Sequence, residues 1–72
     1  MDTLAVFRSR SDAIKIYNLL RKNKIACSTV NTPAKLGLGC GISIVFPSSY
    51  TALLKNMITE TGINSFVGLF RR

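Results

Sequence analysis

Gly39-Cys40-Gly41 is the place in this 72-residue chain where residue type and spacing offer chemistry. A cysteine between two glycines has no side-chain neighbours to shield its sulfur, and the glycines let backbone N–H groups turn toward a thiolate. Lys35, in the same stretch, adds positive charge. Such surroundings lower a thiol pKa and make the sulfur a nucleophile near neutral pH. The alternative is that Cys40 is a small residue filling a tight corner. The spacing alone leaves both readings open.

Cys27 reads differently. It lies between Ala26 and Ser28 with Ile25 nearby, the setting of a small buried hydrophobe. If the strands on either side of the glycine loop pair, Cys27 stands about 10–15 Å from Cys40 at about 3.3 Å per residue. That is too far for an internal disulfide. Two cysteines are also too few for a disulfide framework.

Other chemistry finds little support. The chain has no histidine, which argues against a zinc site or a hydrolase triad within it. Its three carboxylates, Asp2, Asp12 and Glu60, are scattered and form no acid/base pair in sequence. Gly37, Gly39 and Gly41 match neither a phosphate loop nor a dinucleotide fingerprint. A stand-alone enzyme of a common type is not expected.

The elements that must position Cys40 follow from periodicity. Residues 3–8 form a β-branched and apolar run that predicts a strand. Ser9-x-x-Asp12 has the form of a capping box, and Ala13, Ile16, Tyr17 and Leu20 then recur at helical spacing until Asn23. Residues 25–30 predict a second strand. Residues 33–41 have no consistent period and predict a loop. Residues 42–46 predict a third strand, with Ile42, Ile44 and Phe46 on one face. A second helix opens at Pro47-Ser48-Ser49 with a serine as N-cap, and Tyr50, Leu53, Leu54, Met57 and Ile58 trace its apolar stripe. Gly62 stops it, and residues 63–70 predict the fourth strand.

Order and length point to one α/β domain over residues 1–72. The expected architecture is a ferredoxin-like βαββαβ two-layer sandwich, with a four-stranded antiparallel sheet, the first and third strands central, and two helices on one face. The other sheet face has no evident cover. Ala5, Phe7, Ser43 and Val45 are its candidate residues, open to a second copy or a partner.

Composition bears on partners. Hydrophobic residues make up 47% of the chain, more than a small globule can hide, which favours self-association or a partner surface. The net charge is +7, consistent with a solvated cationic surface, an acidic protein partner or nucleic acid. The RNA-recognition motif shares the βαββαβ order, but its third strand carries stacking aromatics. Residues 38–45 contain none, and Phe7 alone is not a platform. There is no secretory h-region and no run of about 18 apolar residues, so a cytoplasmic location is expected, with no membrane role.

At the loop, the chain resembles the family of small selenium/sulfur carrier-like proteins. Phe7-Arg-Ser-Arg-Ser-Asp-Ala13 is similar to the family's opening Phe-x-Ser-x-x-Asp-Ala segment. Leu20 and Ile25 fall where its first helix ends and its second strand begins. Pro33 followed, after six residues, by Cys40-Gly41 matches its most specific feature, and Gly62-Ile63 and Val67-Gly68 fit its close. Gly37 stands where a serine is common, and this chain is more basic than expected. The resemblance implies a ferredoxin-like domain, in some cases fused to sulfurtransferase-like modules, whose loop cysteine carries sulfur or selenium. Cys40 is then the carrier nucleophile, Gly39 and Gly41 shape its loop, Pro33 fixes the loop's start, and Lys35 stabilises the thiolate. No cofactor is implied, because the cysteine holds the cargo covalently; the implied partners are donor and acceptor proteins of sulfur or selenium.

Overall fold

The computed structural model describes residues 2–33 and 41–71. The elements follow in the order β1 (Asp2–Phe7), α1 (Arg10–Lys22), β2 (Ser28–Asn31), β3 (Ile42–Pro47), a 3₁₀ turn (Ser48–Tyr50), α2 (Thr51–Thr61) and β4 (Phe66–Arg71). All four strands form one sheet in the order β2-β3-β1-β4 with antiparallel neighbours. β1 and β3 are central, as expected. Because β2 and β1 both run against β3, they are parallel to each other, and the same holds for β3 and β4 about β1. The result is two interleaved split βαβ units, the ferredoxin-like arrangement.

Local chemistry explains the helix ends. The Ser9 hydroxyl accepts from the Asp12 N–H at 3.3 Å, capping α1 as its sequence predicts. The Asp12 carboxylate does not turn back to close the box. It accepts from the Ser65 hydroxyl at 2.7 Å, tying α1 to the approach to β4. At the other end Asn23 is the C-cap, and Lys24 takes a left-handed φ of 61°. The Lys24 N–H donates to Arg21 O and the Ile25 N–H to Leu20 O, each at 3.0 Å, the paired bonds of a Schellman turn. A non-glycine residue there costs about 1–2 kcal/mol. This turn corrects the predicted second strand. Ile25 belongs to the helix stop, where it joins Leu20 in the core, and β2 pairs only from Ser28.

The second helix also departs from expectation. Its cap position is Tyr50, not a serine, and makes no side-chain cap bond. The Ser48 hydroxyl instead lies 2.6 Å from that of Thr3. A 3₁₀ turn advances about 120° per residue rather than 100°, so Tyr50 falls off the apolar stripe. Leu54, Met57 and Ile58 are buried, while Tyr50 and Leu53 remain 40% and 36% exposed. Gly62 ends α2 at a left-handed φ of 70°, as predicted.

Residues directly opposite in an antiparallel pair share a face. Ala5 is opposite Ile44, so it faces the helices, and Phe7 follows it there. Both join Ile16, Leu20, Ile44, Phe46 and Leu54 in the main core. That corrects their expected place on the other face, whose residues are Leu4, Val6, Ser43 and Val45. Nor is that face bare. Leu4, Val6 and Val45 are buried, packed with Val30, Val67 and Phe70, and Val6 and Ser43 are both 0% exposed. An open sheet face therefore no longer argues for a docked partner.

Candidate functional site

Cys40, Gly39 and Lys35, together with Gly37, lie outside the described residues. Pro33 and Gly41, which flank them, are described, and the structure brings their surroundings together. The β2–β3 ladder pairs Asn31 with Ile42, and one step further the Thr32 N–H donates to Gly41 O at 2.9 Å. Thr32 and Gly41, which bracket segment 33–40, are thus paired with each other at the end of the ladder. The Thr32 and Ser43 hydroxyl oxygens are 2.7 Å apart across the same pair of strands. Gly41 also abuts β1, and a Cβ built on it would stand 3.0 Å from Phe7 O. Bare backbone is what allows β3 to begin here.

The loop base therefore sits where β1 ends and α1 begins. The opening motif shared with the resembled family is spent on building that corner. Phe7 is in the core with its ring centroid 5.4 Å from that of Phe66, Ser9 caps α1, Asp12 holds Ser65, and Ala13 is fully buried. The Arg8 N–H donates to Ser65 O at 2.9 Å, closing the corner against the approach to β4. Phe7 is consequently unavailable to stack on a base, which removes the one aromatic the nucleic-acid reading had on β1.

Cys27 lies at the opposite end of β2, about 16 Å along the strand direction from Thr32 at about 3.3 Å per residue. It is half-buried against the core, beside Arg21. Burial pushes its thiol pKa up, and the Arg21 guanidinium only partly offsets this. Because the thiolate is the reactive form, Cys27 is expected to alkylate with a pH midpoint above that of free cysteine. Iodoacetamide labelling of the native protein across a pH series, read by peptide mass, checks this. A midpoint at or below that of free cysteine contradicts the burial argument.

Sequence reasoning missed the Thr32–Ser43 and Asp12–Ser65 contacts. A signal for Ser43 was present, since it is a lone hydroxyl in the apolar run 42–46. Among the described residues no group of three or more His, Cys, Asp or Glu side chains is placed to hold a metal ion. No helix among them is long and apolar enough to cross a membrane.

No curated protein and no solved structure matches the chain. One family model does, over residues 2–65, a span that takes in the corner at Phe7–Ala13, both loop anchors and Cys40. By that match the chain belongs to the family described as Putative Se/S carrier protein-like.

Proposed function

We propose that the protein carries sulfur or selenium on Cys40 for delivery to a partner. The observation that carries this reading is the family match over residues 2–65, which contains the Pro33…Cys40-Gly41 segment. The closed loop base supports it, since Cys40 is bonded to Gly41, a residue fixed between Thr32 and Phe7. Gly39 and Gly41 leave the sulfur unshielded by neighbouring side chains, Pro33 sets the start of the loop, and Lys35 favours the thiolate.

In the transfer step the Cys40 thiolate attacks the outer sulfur of a donor persulfide. A bond forms between Cys40 Sγ and that sulfur, the donor's S–S bond breaks, and the donor leaves as a thiolate. The outer sulfur keeps its proton. Attack by an acceptor thiolate reverses the sequence, and a selenium atom moves as an S–Se adduct in the same way. The cargo bond is covalent, so the step needs no cofactor. A free carrier thiol persists in a reducing compartment, which fits a cytoplasmic setting. The whole chain acts as one carrier domain, an accessory of sulfur or selenium transfer rather than a stand-alone enzyme.

The rival reading is an interaction module for an acidic protein or nucleic acid. With Phe7 in the core, it rests on the +7 charge. Incubation with a persulfide donor, or with selenite plus thiol, followed by intact mass separates the two. Wild type and Cys27→Ser are expected to gain the adduct and Cys40→Ser to gain none. Equal adduct formation by wild type and Cys40→Ser ends the carrier reading. Salt-sensitive RNA binding indifferent to Cys40 would favour the rival.

A further inference from the structure

The two edges of the sheet are built differently. β2 is four residues long, and its Ser28, Thr29 and Asn31 are exposed polar side chains. A short polar strand is a poor template for another chain. β4, at the other edge, is six residues long and carries Phe66, Val67, Leu69 and Phe70. All four are half-buried, Phe66 and Leu69 against the main core and Val67 and Phe70 against the cluster on the far face. A register shift between Val6 and Phe7 leaves residues 68–71 in regular pairing with β1. Among the described residues β1 is the one strand beside β4, so the outward N–H and C=O groups of β4 have no strand to pair with there.

Where β4 meets α2 there is also an apolar groove of about 240 Å³, lined by Lys55, Ile58, Thr59 and Phe66. Charge is concentrated elsewhere. Residues 8–24 hold six basic side chains against Asp12, a net +5, whereas α2 and β4 together carry Lys55, Glu60 and Arg71. An acidic protein or a nucleic acid is drawn to the α1 side. The β4 edge suits an apolar strand that is itself nearly uncharged, and β4 is such a strand.

We propose that β4 is a self-association edge, pairing antiparallel with β4 of a second copy to join two four-stranded sheets into one. A two-fold axis runs the two strands in opposite directions, so Arg71, the one charge on β4, stands away from its counterpart. The second copy's apolar strand supplies a side chain for the groove at Ile58 and Phe66, as neighbouring strands do across a ladder. The pairing covers apolar side chains on both sheet faces, in a chain whose 47% of hydrophobic residues exceeds what a small globule hides. An edge of six residues is only about 20 Å long, so the contact is small and the dimer dissociates on dilution. None of this involves Cys40, and it stands or falls apart from the carrier reading.

The test is analytical sedimentation of the native protein from about 10 µM to about 1 mM, under a reducing agent so that disulfides play no part. The mean mass is expected to rise toward two chains. Added salt keeps or strengthens the association, because screening eases repulsion between copies of net charge +7. Leu69→Lys is expected to weaken it by about 10-fold or more, by placing a charge at the seam. Thr29→Lys adds the same charge to the β2 edge and leaves association as in wild type. Amide hydrogen exchange of the wild type is the second readout. Every other β4 amide slows by about 3–10-fold at the high concentration, and the β2 amides do not. A monomer at about 1 mM overturns the proposal and leaves the edge to a strand of another protein. A dimer that folded Leu69→Lys does not weaken, or whose added protection lies in β2 or α1, overturns it as well. If Leu69→Lys does not fold, the wild-type exchange pattern decides.

Discussion

Phe7→Ala is expected to lower the melting temperature by on the order of 20 °C. The side chain is 1% exposed, its ring meets that of Phe66, and it lies in the core shared by both helices and the sheet. Removing a buried phenylalanine costs about 3–5 kcal/mol, from lost burial and from the cavity left behind. A chain of this length has roughly 4–11 kcal/mol in all, at about 0.05–0.15 kcal/mol per residue. One substitution thus removes a large share of the total. Leu53→Ala is the control, because that side chain is partly in water and off the stripe. Thermal melts by circular dichroism check the pair. A Phe7→Ala melt within a few degrees of wild type would mean that Phe7 is not the core residue described.

The second large effect belongs to Gly41. Gly41→Ala puts a Cβ 3.0 Å from Phe7 O, and the obstacle is backbone in a central strand, which cannot rotate out of the way as a side chain could. Gly41 is not among the positive-φ residues, so the demand is for space and not for a left-handed conformation. Relieving the contact requires β3 to shift from β1 at the point where Gly41 O accepts from Thr32. Overpacking of this kind costs about 1–3 kcal/mol. Gly68→Ala is the matched comparison, since its Cβ would meet only the Phe70 ring at 3.6 Å, an ordinary contact. That change is expected to be neutral or stabilising by about 0.4–1 kcal/mol, because alanine narrows the unfolded ensemble. Denaturant melts of the two variants are the check. Equal stability would show that the crowding at Gly41 is relieved at no cost.

The two effects bear on function differently. Loss at Phe7 loosens the whole molecule, whereas loss at Gly41 disturbs the base of the segment that holds Cys40. Cys40 alkylation in the folded variants should therefore follow Gly41→Ala more closely than Gly68→Ala.

Periodicity along the chain determined the element order and most of the core, and the right-handed crossover rule then put the first and third strands in the centre. Ala13, Ile16 and Leu20 lie at helical spacing with a serine cap ahead of them, and few other structures satisfy that pattern. The alternation of Ile42, Ile44 and Phe46 put one face of β3 in the core for the same reason. Gly62 announced its helix stop because only a residue without a Cβ adopts a left-handed φ cheaply. Where the signal was local, the sequence was sufficient.

Tertiary structure decided what depended on pairing or on approach through space. The run 3–8 is apolar on both faces, so alternation could not say whether Ala5 and Phe7 or Leu4 and Val6 meet the helices. The register of Ala5 opposite Ile44 chose. Lys24 in the left-handed region carries no glycine to signal it, and only closure of the helix by Ile25 makes it worthwhile. The Gly-Cys-Gly loop stood out by composition, but nothing in its order revealed Thr32 on Ser43 or Gly41 against Phe7. Those contacts join residues 11 and 34 positions apart, and the folded sheet is what brings them within reach.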